Sequence, residues 1–351
     1  MHRYLNFLDT TLHFEIDPDA EKAFEPVGRF FRHTMADLPA QEPAFHLSVI
    51  PYDPVAQPPE GRPVVIRQST APEFTFHALL SRHGRRLVYA NGSTRLDVPV
   101  DTADDQRFEV GITDGSWCQL LDFIRDLIIR TEETRGTVVL HAAGVHRDGA
   151  AYAIAGPKGA GKTTTLLSVL SRPGWQYFTG DKLFCRIEDG AVVAHPWRDY
   201  PYVGAGTIRE HPELVTWVTD SVEPGLANLP DRRKLLLDVD VFEAWLGSPF
   251  TPEPRRLAGL LLPRVDPQEP FAVESVDALS ARWMELNRIV DRSVDTTFFG
   301  WQHYLVPDYA AFYATLSAMR PLLADLSVLR LTGALDVDLD AALDVAPAAG
   351  A

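Results

Sequence analysis

Ala151-Tyr-Ala-Ile-Ala155 followed by Gly156-Pro-Lys-Gly-Ala-Gly161-Lys162-Thr163-Thr164 is the stretch on which the reading of this chain turns. Gly156 to Thr163 fits G-x-x-x-x-G-K-[ST], a loop that cradles phosphate. The spacing has a physical cause. Glycines let the backbone fold into a concave nest whose N–H groups point at phosphate oxygens. Lys162 supplies a point charge for the β- and γ-phosphates, and the Thr163 hydroxyl suits Mg²⁺. Ala151 to Ala155 reads as a strand, and Thr165-Leu-Leu-Ser-Val-Leu170 reads as a helix ended by Ser171-Arg-Pro-Gly174. Strand, loop and helix are the setting the motif requires, and the helix adds its positive N-terminal end. Gly156, Pro157, Lys158, Gly159, Ala160, Gly161, Lys162, Thr163 and Thr164 are therefore the expected nucleotide-binding residues.

Outward from the loop, hairpin signals stand on both sides. Thr137 to His146 reads as a strand and Arg147-Asp-Gly149 as a turn, so the strand feeding the loop is the return arm of a hairpin. Past the helix, Gln176 to Thr179 and Leu183 to Ile187 read as strands; Glu188-Asp-Gly190 turns the chain, and Ala191 to His195 returns. Most phosphate-loop enzymes enter the loop from a parallel strand reached through a helical crossover. Hairpins here predict an α/β fold leaning to α+β, with a mixed, largely antiparallel sheet. Leu257 to Leu262 reads as a buried strand, Ser275 to Val290 and Pro307 to Leu323 as helices, and Leu326 to Leu331 as a last strand.

Residues 1–115 read as an N-terminal β-rich α+β module. Phe45 to Ile50, Pro63 to Ile66, Phe74 to His77 and Arg86 to Ala90 are its candidate strands. Asp19 to Thr34 reads as a helix with Phe24, Val27, Phe30 and Phe31 on one face. Residues 116–135 form a connecting helix, with Trp117, Leu120, Leu121, Ile124, Leu127 and Ile128 at helical spacing. The nucleotide-binding domain spans 136–335, and the Ala/Asp-rich 336–351 reads as a flexible tail.

Composition narrows the class. The chain has 351 residues, 46% of them hydrophobic and 23% charged, with a net charge of −15. That charge disfavours nucleic acid, whose binders cluster Lys and Arg. No apolar run approaches the roughly 20 residues of a membrane helix, and no signal core opens the chain. A cytoplasmic enzyme without a membrane partner is the expectation. The two cysteines, Cys118 and Cys185, read as small buried hydrophobes.

Several residues could carry chemistry. Asp181, in Thr179-Gly-Asp-Lys-Leu183, falls at a strand end beside the loop, where a carboxylate can hold Mg²⁺ or take a proton from an acceptor hydroxyl. His141 lies in the strand paired to the one feeding the loop, whereas His146, next to the turn, reads as exposed. Arg232-Arg233-Lys234 is the one dense basic run, and phosphoryl transfer needs a cation beyond the loop lysine. His195 to Pro201 and Val203 to Gly206 read as a possible lining of a substrate channel.

This combination resembles the catalytic domain of the HPr kinase/phosphorylase family and its kinase-like relatives, whose nucleotide fold is shared with phosphoenolpyruvate carboxykinases. The resemblance rests on Leu140-His141-Ala-Ala, the hairpin through Asp148-Gly149, the loop from Gly156 to Thr164, and Gly180-Asp181. Ala194-His-Pro196, the basic run and the strand at Leu257 extend it loosely. Residues 1–115 do not look like a module of the authentic HPr kinases. The resemblance implies a kinase that uses ATP and Mg²⁺ to phosphorylate a hydroxyl, often serine, on a protein, peptide or small molecule, with homo-oligomers common. It places His141 near metal and phosphates, Asp181 as catalytic base and metal neighbour with Thr163, Lys162 on the phosphates, and Arg232 or Arg233 as the further phosphate contact. Two departures stand out. The family has tandem acids where this chain has Asp181-Lys182, and its usual Ser-Gly pair in the loop is replaced by Pro157-Lys158-Gly159.

Lys182 motivates a rival reading, a nucleotide-binding accessory protein of the same fold without turnover. The chain carries no Leu-Ser-Gly-Gly-Gln and no Asn-Lys-x-Asp, the marks of transporter ATPases and GTPases, and is short for a carboxykinase.

Overall fold

A computed structural model describes residues 1–68, 74–102, 105–266, 268–291 and 308–334. The chain divides into two compact units. One holds Met1–Arg135 with a short return near Phe312, and the other holds Gly136–Asp291 together with the chain from Tyr313. The tail read at 336–351 lies outside the described residues.

In the first unit, apolar alternation builds a sheet and helices cover one face. The strands are β1 (His2–Phe7), β2 (Thr10–Ile16), β3 (Met35–Ala36), β4 (Phe45–Pro51), β5 (Arg62–Arg67), β6 (Phe76–His83), β7 (Arg86–Ala90), β8 (Thr94–Pro99) and β9 (Arg107–Ile112). They are ordered β3-β1-β2-β4-β9-β8-β7-β6-β5, with β2–β4 and β4–β9 parallel. Leu12, Phe14 and Ile16 of β2 and Leu47 and Val49 of β4 are buried at period two. Helix α1 (Glu21–Phe30) buries Phe24, Val27 and Phe30. Helix α2 (Trp117–Glu133) packs near α1 and β2 and is buried almost all round, including Asp122, Arg125, Glu132 and Glu133. Buried charge needs partners: Glu132 accepts from the Thr10 hydroxyl at 2.6 Å, and Asp122 pairs with Arg67. Cys118 is only half-buried on α2, a correction to its reading as a buried hydrophobe.

The second unit contains β10 (Val138–Arg147), β11 (Ala150–Ala155), α3 (Lys162–Leu170), β12 (Gln176–Thr179), β13 (Lys182–Glu188), β14 (Ala191–His195), β15 (Tyr202–Gly204), α4 (Ala205–Arg209), α5 (Pro212–Ser221), β16 (Lys234–Leu236), α6 (Val239–Leu246), β17 (Arg255–Val265), β18 (Ala272–Ser275), α7 (Leu279–Ile289), the part of α8 (Tyr309–Ala324) from Tyr313 on, and β19 (Ser327–Gly333). Its main sheet is mixed. β17 is parallel to β11 and to β19, and the remaining pairings are antiparallel. Both hairpins that flank the loop are present, β10–β11 through Asp148-Gly149 and β13–β14 through Asp189-Gly190. Asp148 and Gly149 hold φ of 52° and 81°, the left-handed pair that a two-residue hairpin turn requires. Strands β11, β10, β13, β14 and β17 pair in a closed circuit. Ala143, Val145, Tyr152 and Ile154 pack with Leu166, Leu167 and Val169 of α3 in one core. Burying each such aliphatic side chain contributes about 1.5–3 kcal/mol, which fixes the roll of α3 and leaves its first turn facing the loop.

His146 is buried, contrary to its reading as exposed. β10 continues to Arg147 and is covered on both edges there, with His146 opposite Ala151 of β11 and Gln176 of β12. Its Nε2 lies 3.3 Å from the Thr251 hydroxyl, and burial, helped by Arg255, pushes its pKa below the imidazole norm.

Candidate active site

The segment from Gly156 to Gly161 leaves the end of β11 and enters α3. Gly159 and Gly161 hold φ of 84° and 96°. At Gly161 only glycine fits: a Cβ would stand 2.3 Å from Cγ2 of Val265, at the end of β17. The loop is tied to that strand by Val265 N–H donating to Ala160 O at 3.0 Å, and internally by Ala160 N–H donating to Pro157 O at 3.1 Å. Pro157, Lys158 and Gly159 are exposed, while Lys162, Thr163 and Thr164 are half-buried in the first turn of α3. Lys162 Nζ folds back over the loop and donates to Gly156 O at 2.8 Å. Burial is the main cause that lowers the pKa of this ammonium; Asp181 opposes it, and Lys234 and Lys182 add to it.

Strand register brings Asp181 and His141 to the same place. β12 and β13 run end to end along one edge of β10, with Gly144 opposite Thr179 and His141 opposite Lys182. Gly180-Asp181 is the interruption between them. On the other edge Ala142 pairs with Ala155, so the next step sets His141 level with Gly156. His141 Nε2 lies 3.0 Å from Asp181 Oδ1, with side chains 50% and 44% exposed. Their contact thus sits open to solvent beside the loop. The Thr179 hydroxyl lies 2.7 Å from Lys182 O and 2.8 Å from Trp197 O, and donating to either holds the interruption in shape.

Lys182 follows directly and forms an ion pair with Asp291. The basic run reaches the site through Lys234. Lys234 is exposed along its side chain, and the charges that act on it are Asp181 and Lys158; crowding around its ammonium lowers its pKa first, Asp181 raises it, and Lys158 lowers it again. Arg232 is exposed and Arg233 half-buried, and the backbone of Arg233 is pinned, with N–H donating to Pro230 O at 2.8 Å and O accepting from Ala205 N–H at 2.7 Å. Lys234 opens β16, opposite Gly204 of β15, with its ammonium 5.7 Å from the Tyr202 ring. Arg209 braces the preceding loop by pairing with Asp231 and donating to Leu226 O at 2.9 Å and Leu229 O at 3.0 Å.

The stretch read as a channel lining is largely packed away. Trp197, Arg198 and Asp199 are buried. Arg198 donates from Nε to Glu243 at 2.8 Å and from Nη2 to Asp240 at 2.7 Å, so it braces α6. The Tyr177 hydroxyl lies in the same buried cluster, where burial first, then Asp199 and Glu243, hold its proton on. His195 is half-buried and pairs with Glu188 at 2.8 Å.

Asp291 is an addition to the residues singled out above, while Lys234 stood among the three cations of the basic run and Arg198 within the stretch read as a channel lining. Lys234 had a signal, its place in the basic run. Asp291 had none, because it stands 109 positions from its partner.

No family model and no curated protein matches the sequence. Among solved structures the chain is similar to the Hpr(Ser) kinase/phosphatase from Coxiella burnetii, with 12% identity and a TM-score of 0.25 over 59% of this chain and 85% of that one.

Proposed function

We propose that the second unit is an ATP-dependent kinase that transfers the γ-phosphate to a hydroxyl on a protein, peptide or small molecule. The observation that carries this reading is the His141–Asp181 pair at 3.0 Å, set by strand register level with a glycine loop whose lysine feels the same carboxylate. The residues suit the nucleotide. Gly159 and Gly161 give the backbone the left-handed turns of a phosphate nest, and Lys162 and Lys234 place positive charge beside Asp181, with Lys158 acting on Lys234. Thr163 and Asp181 offer the hydroxyl and carboxylate oxygens that Mg²⁺ prefers. Among the described residues no group of three or more His, Cys, Asp or Glu could hold a metal alone. That suits an ion that takes most of its ligands from phosphate and water.

When bound, Mg·ATP supplies the transferred group and its leaving ADP. The chain positions and polarises. Lys162 and Lys158 offset charge on the phosphates. Asp181 accepts the proton of the acceptor hydroxyl as its oxygen bonds to the γ-phosphorus and the bond to the β-phosphate oxygen breaks. His141 fixes the orientation of that carboxylate. Lys234 meets the charge on the group in flight, the task for which transferases commonly use arginine.

Lys182 in place of a second acid motivates the alternative, a nucleotide-binding accessory protein. ATP consumption by the Asp181→Asn variant separates the two. A kinase loses about 10²–10⁴-fold in turnover with ATP affinity retained. Equal, slow consumption by both proteins across candidate acceptors removes Asp181 as base and leaves the accessory reading.

A further inference from the structure

The position after Asp181 is a lysine, and a lysine beside a catalytic carboxylate works against it. Unmatched, its ammonium can pair with Asp181 or with phosphate and hold either in an unproductive place. Lys182 opposes His141 across β10–β13, so the two share a face of the sheet. It is also close enough to Lys162 to lower that ammonium's pKa. What occupies Lys182 is Asp291.

Asp291 is not a chance surface partner. Beyond α7, Val290 bridges to Leu140 of β10, and Asp291 N–H donates to Val139 O at 2.8 Å. The backbone that carries Asp291 is thus docked on the strand that carries His141. With Leu140 opposite Val290, Asp291 falls opposite Val139, which shares its face with His141 and Lys182. The two side chains are 16% and 24% exposed, so water screens the pair less than it would on an open surface.

We propose that Asp291 is a positioning residue that sequesters Lys182, keeping it off Asp181 and off the phosphates. It thereby offsets the charge that Lys182 brings where the resembled family has an acid. The inference rests on the kinase reading above, and it assigns to residue 291 a task that local sequence around the loop does not reveal.

The test compares full-length wild type, Asp291→Asn, Asp291→Glu and the double variant Lys182→Gln/Asp291→Asn. One measurement is equilibrium binding of ATP, with Mg²⁺ and with chelator; the other is slow ATP hydrolysis to water. Asp291→Asn releases Lys182 toward the phosphates, so ATP binds roughly fivefold tighter while hydrolysis slows by about tenfold. Asp291→Glu behaves as wild type, and the double variant recovers both values to within about threefold, since it removes the lysine along with its partner. A merely structural role weakens binding and slows turnover together, in single and double variant alike; that result overturns the inference, as does an Asp291→Asn protein indistinguishable from wild type. If wild type binds no ATP, the nucleotide reading fails with it, a result distinct from wild-type binding that Asp291→Asn leaves unmoved.

Discussion

At the scale of single residues, the site is a balance of charge around Asp181. Lys162 and Lys234 feel the Asp181 carboxylate, Lys182 acts on Lys162 and Lys158 on Lys234, in a chain whose net charge is −15. Three of these cations have different tethers: Lys162 a loop carbonyl, Lys182 Asp291, and Lys234 the ring of Tyr202. Within the basic run, Lys234 feels the charge of Asp181, and the Lys234 and Arg232 side chains are both exposed. Lys234→Ala is expected to cut turnover by at least about tenfold with a smaller effect on ATP affinity, because its charge matters most in the transition state. Arg232→Ala is expected to stay within about twofold, as exposed charges do. Steady-state kinetics of both variants check the ranking, and a larger loss for Arg232→Ala would move the transition-state cation to the arginines.

At the scale of elements, the loop is held by its neighbours as much as by its own glycines. The close approach of Val265 at the end of β17 makes Gly161 irreplaceable. Gly161→Ala combines a left-handed backbone with a clash, and is expected to cost about 2–4 kcal/mol of stability. Trimming the neighbour, Gly161→Ala/Val265→Ala, recovers the steric part and leaves the backbone part of about 1–2 kcal/mol. Denaturant unfolding of the two variants measures this, and equal losses would place the constraint in the backbone alone.

The same elements show what a reader of sequence can see. The hairpins flanking the loop were legible because Asp148-Gly149 and Asp189-Gly190 announce their turns. The β1–β2 hairpin was not, although Leu12, Phe14 and Ile16 alternate cleanly. Its turn is Leu8-Asp9, with Leu8 at φ 49°, and no turn chemistry marks it. The short β15 and β16 are three residues each, too brief for any period to show. In the site, the loop, His141 and Asp181 could be found because motif and strand pairing are local. Asp291 could not, because a pairing across 109 positions is made by the fold.

At the scale of the molecule, the chain joins a nine-stranded N-terminal sheet to a second unit that carries every candidate catalytic residue. His141, Asp181 and Lys162 lie on consecutive pieces of one construction: β10 for His141, the β12–β13 break for Asp181, the first turn of α3 for Lys162. On the reading proposed above, this construction holds a nucleoside triphosphate through the loop at Gly156. Calorimetric titration of ATP into wild type and Lys162→Ala, with circular dichroism to verify the fold, tests it most directly. Wild type is expected to bind saturably, and a variant that remains folded to bind at least a hundredfold more weakly, about 2.7 kcal/mol. Unchanged affinity in Lys162→Ala would contradict it.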